Sequence, residues 1–222
     1  MGSIGALACL ASSAVAAADP LVQVSRDQLC VTDGEISAAA GDKLAVTTPA
    51  MRAVVPASSR QDVEAHFTFL GPSDQTVALG SGAVREQFGV KLRAADPCNL
   101  VYAMWRFAPK PGVVVQLKTN AGAHDSQACG NRGYQDVRPS FAHATGAPGV
   151  GKPHRLKAEM EASTLKVRID GNLVWQGEVK GAPAAGPVGI RSDNAKLSLT
   201  LFAPIGATPP ATPPHCRPSG GD

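Results

Sequence analysis

Apolar and polar residues alternate at period two in run after run of this 222-residue chain, and that pattern is the strongest constraint on its fold. A period of two puts successive side chains on opposite faces of an extended strand, whereas a helix needs a stripe recurring every three to four residues. Beyond the N-terminal segment, no window sustains a helical stripe through three turns. Alternating runs occur at Lys43–Thr48 and Met51–Val55 (separated by Pro49), Asp62–Phe69, Glu86–Leu92, Asn99–Phe107 and Val113–Thr119. They resume at His154–Glu161, Thr164–Ile169, Asn172–Lys180, Gly186–Ser192 and Lys196–Leu201, and a shorter run, Thr76–Leu79, lies before Gly80. Val63, Ala65, Phe67 and Phe69 share one face of their run, as do Val101, Ala103, Trp105 and Phe107 of theirs, and Leu173, Trp175 and Val179 of theirs. Asp170-Gly171 is a strong two-residue hairpin signal between two such runs. About ten strands without a helix predict an all-β chain, folded as a two-sheet antiparallel jelly-roll sandwich. The stretch from Asn120 to Pro153 is rich in Gly, Ala, His and Pro and reads as a long loop, and a loop of that length inside a compact domain usually serves function.

The first 18 residues have the character of an export signal. Ile4–Ala18 is apolar or small and uncharged, and Ala16-Ala17-Ala18 before Asp19-Pro20 offers a cleavage site. Ala6-Leu7-Ala8-Cys9 is a poor lipidation motif, so cleavage after Ala18 is expected, and the segment is too short to span a membrane. The sequence therefore divides into a signal over 1–18, a sandwich domain over 19–203 and a Pro-rich tail over 204–222, and the mature chain is expected to be secreted or periplasmic. Removing the signal removes Cys9 and leaves Cys30, Cys98, Cys129 and Cys216. An even number in an exported chain suggests two disulfides, for which three pairings exist. Cys98–Cys129 and Cys30–Cys216 are expected, because the first pair flanks one strand pair and its loop and the second joins the two ends of a domain whose termini should lie close together. The net charge is +3 and no Lys/Arg run exceeds two residues, so nothing resembles a nucleic-acid stripe, while attraction to acidic polymers is retained.

His154-Arg155-Leu156, then Val167-Arg168-Ile169-Asp170-Gly171-Asn172, then Gly186-Pro187-Val188-Gly189-Ile190 carry a resemblance. This succession of a His-x-Leu strand, a hairpin ending in Asp-Gly and a Gly-Pro-x-Gly strand resembles the closing strands of the concanavalin A-like lectin/glucanase jelly rolls, including their laminin-G-like relatives. It covers roughly the last third of the chain. The resemblance implies a sandwich with one curved sheet whose concave face is open to ligand. It does not choose between sugar-binding, hydrolytic, lyase and adhesive members.

Parity nominates the residues of such a face. Opposite the apolar positions lie Glu64, His66 and Thr68 on one run, and Gln87 and Lys91 on the next, with Arg93 beyond. Tyr102, Met104 and Arg106 follow on a third, and Gln116 and Lys118 on a fourth, ending at Asn120. If these runs are neighbours they form a polar floor with Lys91, Arg106 and Lys118 close together, suited to sulfate, carboxylate or hydroxyl groups. An ordinary solvated sheet face would present the same alternation. The long loop adds Tyr134, whose ring suits stacking on a sugar. Trp105 and Trp175 share the parity of apolar neighbours and read as core.

Candidate ligand-binding residues are thus Glu64, His66, Lys91, Tyr102, Arg106, Gln116, Lys118 and Tyr134, for a polysaccharide or glycan ligand, acidic or neutral, and none is assigned a catalytic role. The alternating carboxylates of retaining glycosidases of this fold are absent, and Glu159 and Glu161 share their face with Arg155 and Lys157, which reads as a charge-paired outer surface. A lyase acting on uronate polymers is the enzymatic alternative: His66, Tyr102, Arg106, Gln116 and Lys118 supply its residue types, although Arg85-Glu86-Gln87 and Gln116-Leu117-Lys118 only echo the signature motifs of jelly-roll lyases. A structural protein-interaction module is the third reading. No cofactor is implied. Asp33-Gly34-Glu35 and Asp193-Asn194 would suit a calcium site or, more simply, turns.

Overall fold

The computed structural model describes residues 19–206 and Cys216. The proposed signal (1–18) and most of the Pro-rich tail lie outside the described residues. In chain order the strands are β1 (Leu21–Val24), β2 (Cys30–Gly34), β3 (Ser37–Ala39), β4 (Lys43–Val46), β5 (Ala50–Val55), β6 (Asp62–Pro72), β7 (Glu86–Asp96), β8 (Asn99–Ala108) and β9 (Gly112–Lys118). A single helical turn, α1 (Ser126–Cys129), precedes β10 (Tyr134–Asp136), β11 (Phe141–Ala142), β12 (Pro153–Glu161), β13 (Thr164–Ile169), β14 (Asn172–Glu178), β15 (Val188–Asp193) and β16 (Ala195–Pro204).

These strands form two antiparallel sheets. The nine-stranded sheet runs β11-β14-β13-β12-β6-β16-β4-β3, with β1 also paired to β16. The seven-stranded sheet runs β10-β9-β8-β7-β15-β5-β2. Between them lies one continuous apolar core, built from the faces that alternation nominated: Phe67 and Phe69 of β6 meet Phe88, Trp105 and Phe107 of the opposite sheet through tilted, edge and stacked ring contacts. Trp105 and Trp175 are both buried, in agreement with their parity. The two expected disulfides are present, Cys98–Cys129 and Cys30–Cys216.

Turn chemistry explains how the strands reverse. Asp170 and Gly171 both take positive φ, the conformation that a two-residue hairpin between β13 and β14 requires. Asn194 alone, also at positive φ, carries the chain from β15 in one sheet to β16 in the other. Its side chain accepts from Val77 N–H and donates to the carbonyls of Val77 and Arg85. That interaction corrects the expected strand at Thr76–Leu79: the segment is a loop whose backbone groups are satisfied by Asn194 and by a local turn, not by a neighbouring strand. A second correction concerns β14. A register shift between β13 and β14 inserts one residue, so Val174 is buried beside Trp175 while Leu173 is half-buried opposite Arg168. The long loop is also less irregular than expected, since it contains α1, β10 and β11.

Candidate functional site

On the outer face of the seven-stranded sheet, the residues that alternate with core positions form rows across the strands. One row is Val54, Gly189, Lys91, Tyr102, Gln116 and Asp136, from β5 to β10. The next holds Arg52, Arg191, Gly89 and Met104, and a third holds Asp193, Gln87 and Arg106. Most of this face is not wet. Cys30, Val54, Ala94, Leu100, Tyr102 and Met104 form a second, smaller apolar cluster there, against which Tyr134 packs.

A cavity of about 480 Å³ opens over these rows, lined among others by Lys91, Tyr102, Gln116, Lys118, Tyr134 and Arg191. Loops wall it. Leu79–Ser81 borders it on one side and Gly130–Asn131 on another, and the two meet where a Cβ on Gly80 would lie 3.1 Å from that of Asn131. The second wall is pinned down. Cys129, at the end of α1, is bonded to Cys98 in the β7–β8 turn, and Asp125 caps α1 by accepting from Gln127 and Ala128 N–H. Asn99 donates to the Ala123 carbonyl, and Asn120 donates to the Cys98 and Arg132 carbonyls. The Lys118 amine donates to the Pro97 and Gly130 carbonyls at 3.1 and 2.9 Å.

The floor carries buried charge. Arg191 is 7% exposed and Asp193 is 1% exposed, and they are joined at 2.8 Å. Arg52 bridges Asp193 and Asp33, at 2.9 Å to each. Burial alone would raise Asp193, but Arg191 and Arg52, with hydrogen bonds from Arg191 and Gln87, hold its carboxyl below the usual range. Burial would likewise lower Arg191, and Asp193 with the two tyrosines keeps it charged. The Arg191 guanidinium lies 4.9 Å from the Tyr102 ring centre and donates to the Tyr134 hydroxyl, while the Lys118 amine lies 5.0 Å from the Tyr134 ring centre. Burial pushes the Tyr102 phenol up to about 12.

Lys91 differs from these neighbours. It is 4% exposed, lines the cavity, and its amine makes no hydrogen bond to any described residue. Burial, reinforced by Arg52 and Arg191, pulls its pKa well below the usual lysine value. Gln87, which donates to Asp193 at 2.6 Å, leaves its Oε1 buried without a partner, also at the cavity.

Of the eight nominated residues, Lys91, Tyr102, Gln116, Lys118 and Tyr134 converge on the cavity. Arg106 shares their face, in the row of Gln87, but does not line the cavity, and its Nε is buried without a partner. Glu64 and His66 are corrected: β6 belongs to the other sheet, where they pair with each other at 2.6 Å on its outer face. Arg93 also turns away, to the carbonyls of Pro183 and Ala162. Arg52, Arg191 and the paired Asp33 were not nominated for the floor, although Arg191 alternates with Ile190 and Arg52 with Met51 and Ala53, the same signal used elsewhere. Asp33 and Asp193, considered above for calcium, both face Arg52, and no group of three or more His, Cys, Asp or Glu among the described residues is placed to hold a metal ion.

No protein-family model matches the sequence, and no curated protein is significantly similar to it. Solved structures are similar in fold. The carbohydrate-binding module CBM66 from Bacillus subtilis aligns with a TM-score of 0.54 at 16% identity, over 80% of this chain and 93% of that one. The chain has the concanavalin A-like jelly-roll fold. The potassium-bound carbohydrate recognition domain of Emp46p aligns on the same jelly roll with a TM-score of 0.51 at 13% identity, over 82% of this chain and 90% of that one.

Proposed function

We propose that this protein is an exported, non-enzymatic carbohydrate-binding domain whose glycan site is the cavity on the seven-stranded sheet. The observation that carries the reading is the cavity itself: a walled hollow of about 480 Å³ with Tyr102 and Tyr134 beside it and Lys91, Gln116, Lys118 and Arg191 in its lining. Binding sites are typically concave and mostly preformed, with a few placed polar groups. Two solved jelly rolls of similar fold support it, one a carbohydrate-binding module and the other a carbohydrate recognition domain. Two disulfides suit an oxidising compartment and support export through the segment over 1–18, with the sandwich over 19–203 and the Pro-rich tail following.

Catalysis finds less support. Of the residues nominated as a lyase's base, His66 lies on the other sheet and burial pushes the Tyr102 phenol up, toward its protonated form. Of the carboxylates that line the cavity, Asp33 is paired with Arg52, and Asp96 accepts from Cys98 N–H and the Asn99 side chain and pairs with His124, which leaves no free carboxylate pair for glycoside hydrolysis.

The test is binding of the purified protein to an array of acidic and neutral glycans, repeated with Ser81→Trp, which plugs the mouth from an exposed loop. Specific binding that the plug removes, with unchanged thermal stability, is expected. Binding unaffected by the plug would move the site elsewhere. An array without hits would remove the glycan reading and favour a protein-interaction module. Formation of an unsaturated product from a uronate polymer would instead establish the lyase.

A further inference from the structure

We infer that the sugar taken by this cavity carries an oxyanion, a carboxylate or a sulfate, that seats on the Lys91 amine between Arg52 and Arg191. The inference rests on the glycan-binding reading and specifies the ligand's charge. Three of the four other cations that line the cavity already have partners, and the fourth, Arg85, is only half-buried. Arg191 is held by Asp193 and Tyr134, Arg52 by Asp33 and Asp193, and Lys118 by two backbone carbonyls. Lys91 has no hydrogen-bond acceptor among the described residues; it is 4% exposed and lines the cavity, from which a ligand can supply one. Space for that acceptor is present, because Lys91, Arg52 and Arg191 all line the cavity of about 480 Å³.

Charge arithmetic points the same way. Around Lys91 stand Arg52 on β5, Asp33 on β2 and Arg191 and Asp193 on β15, two cations against two anions. Tyr102 on β8 is uncharged, and Tyr134 and Lys118 lie beyond it. These four charges cancel with Lys91 neutral, and one added negative charge beside it is balanced when Lys91 takes up one proton. Burial and the two arginines favour the neutral amine in the absence of ligand. Binding is then coupled to proton uptake, and affinity falls as pH rises.

The experiment titrates the full chain with three sugars that share one ring: glucose, glucuronate and glucose 6-sulfate. At neutral pH, glucuronate or the sulfate is expected to bind about tenfold or more tightly than glucose, with a heat that varies with the buffer's ionisation enthalpy as one proton is taken up. Which of the two binds identifies the source of the oxyanion. Lys91→Met should abolish that excess, so that the charged sugars bind no more tightly than glucose to the same variant, and Lys91→Arg should recover part of it. Far-ultraviolet circular dichroism verifies that both variants fold. Equal binding of all three sugars, binding of neither charged sugar, or an excess that survives Lys91→Met would each overturn the inference. A positive glycan array alongside any of these would leave the glycan-binding reading intact, whereas a silent array removes that reading by itself.

Discussion

On the outer face of the nine-stranded sheet, charged side chains are partly exposed and pair at the surface; on that of the seven-stranded sheet, several are almost fully buried beneath loops. Lys157, Glu159 and Arg168 illustrate the first face. Lys157 and Glu159 meet at 2.8 Å, Arg168 reaches the same carboxylate at 3.9 Å, and the Glu159 side chain remains 39% exposed. Arg191, Asp193 and Lys91 illustrate the second, all almost fully buried. Exposed pairs contribute little to stability, whereas buried charges cost several kcal/mol in desolvation that pairing only partly offsets. A sandwich of this kind needs one core between its sheets and has no structural need for charge buried outside it. The arrangement on the seven-stranded face is thus better explained by what it binds than by what it stabilises.

Removing one member of a buried pair should have the largest effect. Asp193→Ala leaves Arg191 buried without its counter-ion, and urea unfolding should show a loss of about 3–5 kcal/mol. The same ion pair gives an acid dependence. Asp193 is held below its usual range in the folded state, so its contribution is present above about pH 4 and is lost as pH falls through its lower native value. A loss under 1 kcal/mol would show that the two faces are alike.

Next in size is the disulfide that pins the cavity wall. Replacing Cys98 and Cys129 together by Ser opens a loop of 31-residue separation, which chain entropy values at about 3–4 kcal/mol. Glycan affinity should fall as well, because α1 and Gly130 lose their anchor. Retained affinity in a destabilised but folded variant would show that this wall is not part of the site.

Lys91→Met should act in the opposite direction, raising stability by about 1–3 kcal/mol at neutral pH as a buried polar group without a partner is removed. The wild type should gain stability as pH rises from the depressed native pKa of Lys91 toward its unfolded value of about 10.4, since the unfolded chain binds the extra proton throughout that window. The variant should lose that slope. A destabilised variant with an unchanged slope would contradict the burial of an unpartnered amine.

Glu159→Ala on the wet sheet should have the smallest effect, within about 1 kcal/mol and diminishing further in salt.

The contrast between the faces was only half legible in the sequence. Alternation identified the core side of almost every strand, and the Asp170-Gly171 turn and the pairing of four cysteines followed from local chemistry and chain ends. Parity, however, names a face without naming a sheet. Glu64 and His66 obeyed the same rule as Lys91, but β6 pairs with β12 and β16, a long-range choice that no local pattern encodes. Arg52 and Arg191 obey the same parity, alternating with Met51, Ala53 and Ile190, but nothing local distinguishes them from the outward charges of an ordinary solvated strand. The Thr76–Leu79 segment alternates, yet one distant side chain, Asn194, satisfies its backbone. The inserted residue at Val174 inverted the reading of Leu173 because a bulge shifts every position beyond it.

The measurement that tests the account most directly is amide chemical-shift mapping of the protein with the best ligand from the glycan array. The account predicts that perturbed residues cluster at Lys91, Tyr102, Tyr134 and Arg191, around the cavity. Perturbation centred on Glu64, His66 and His154, on the outer face of the nine-stranded sheet, would contradict it.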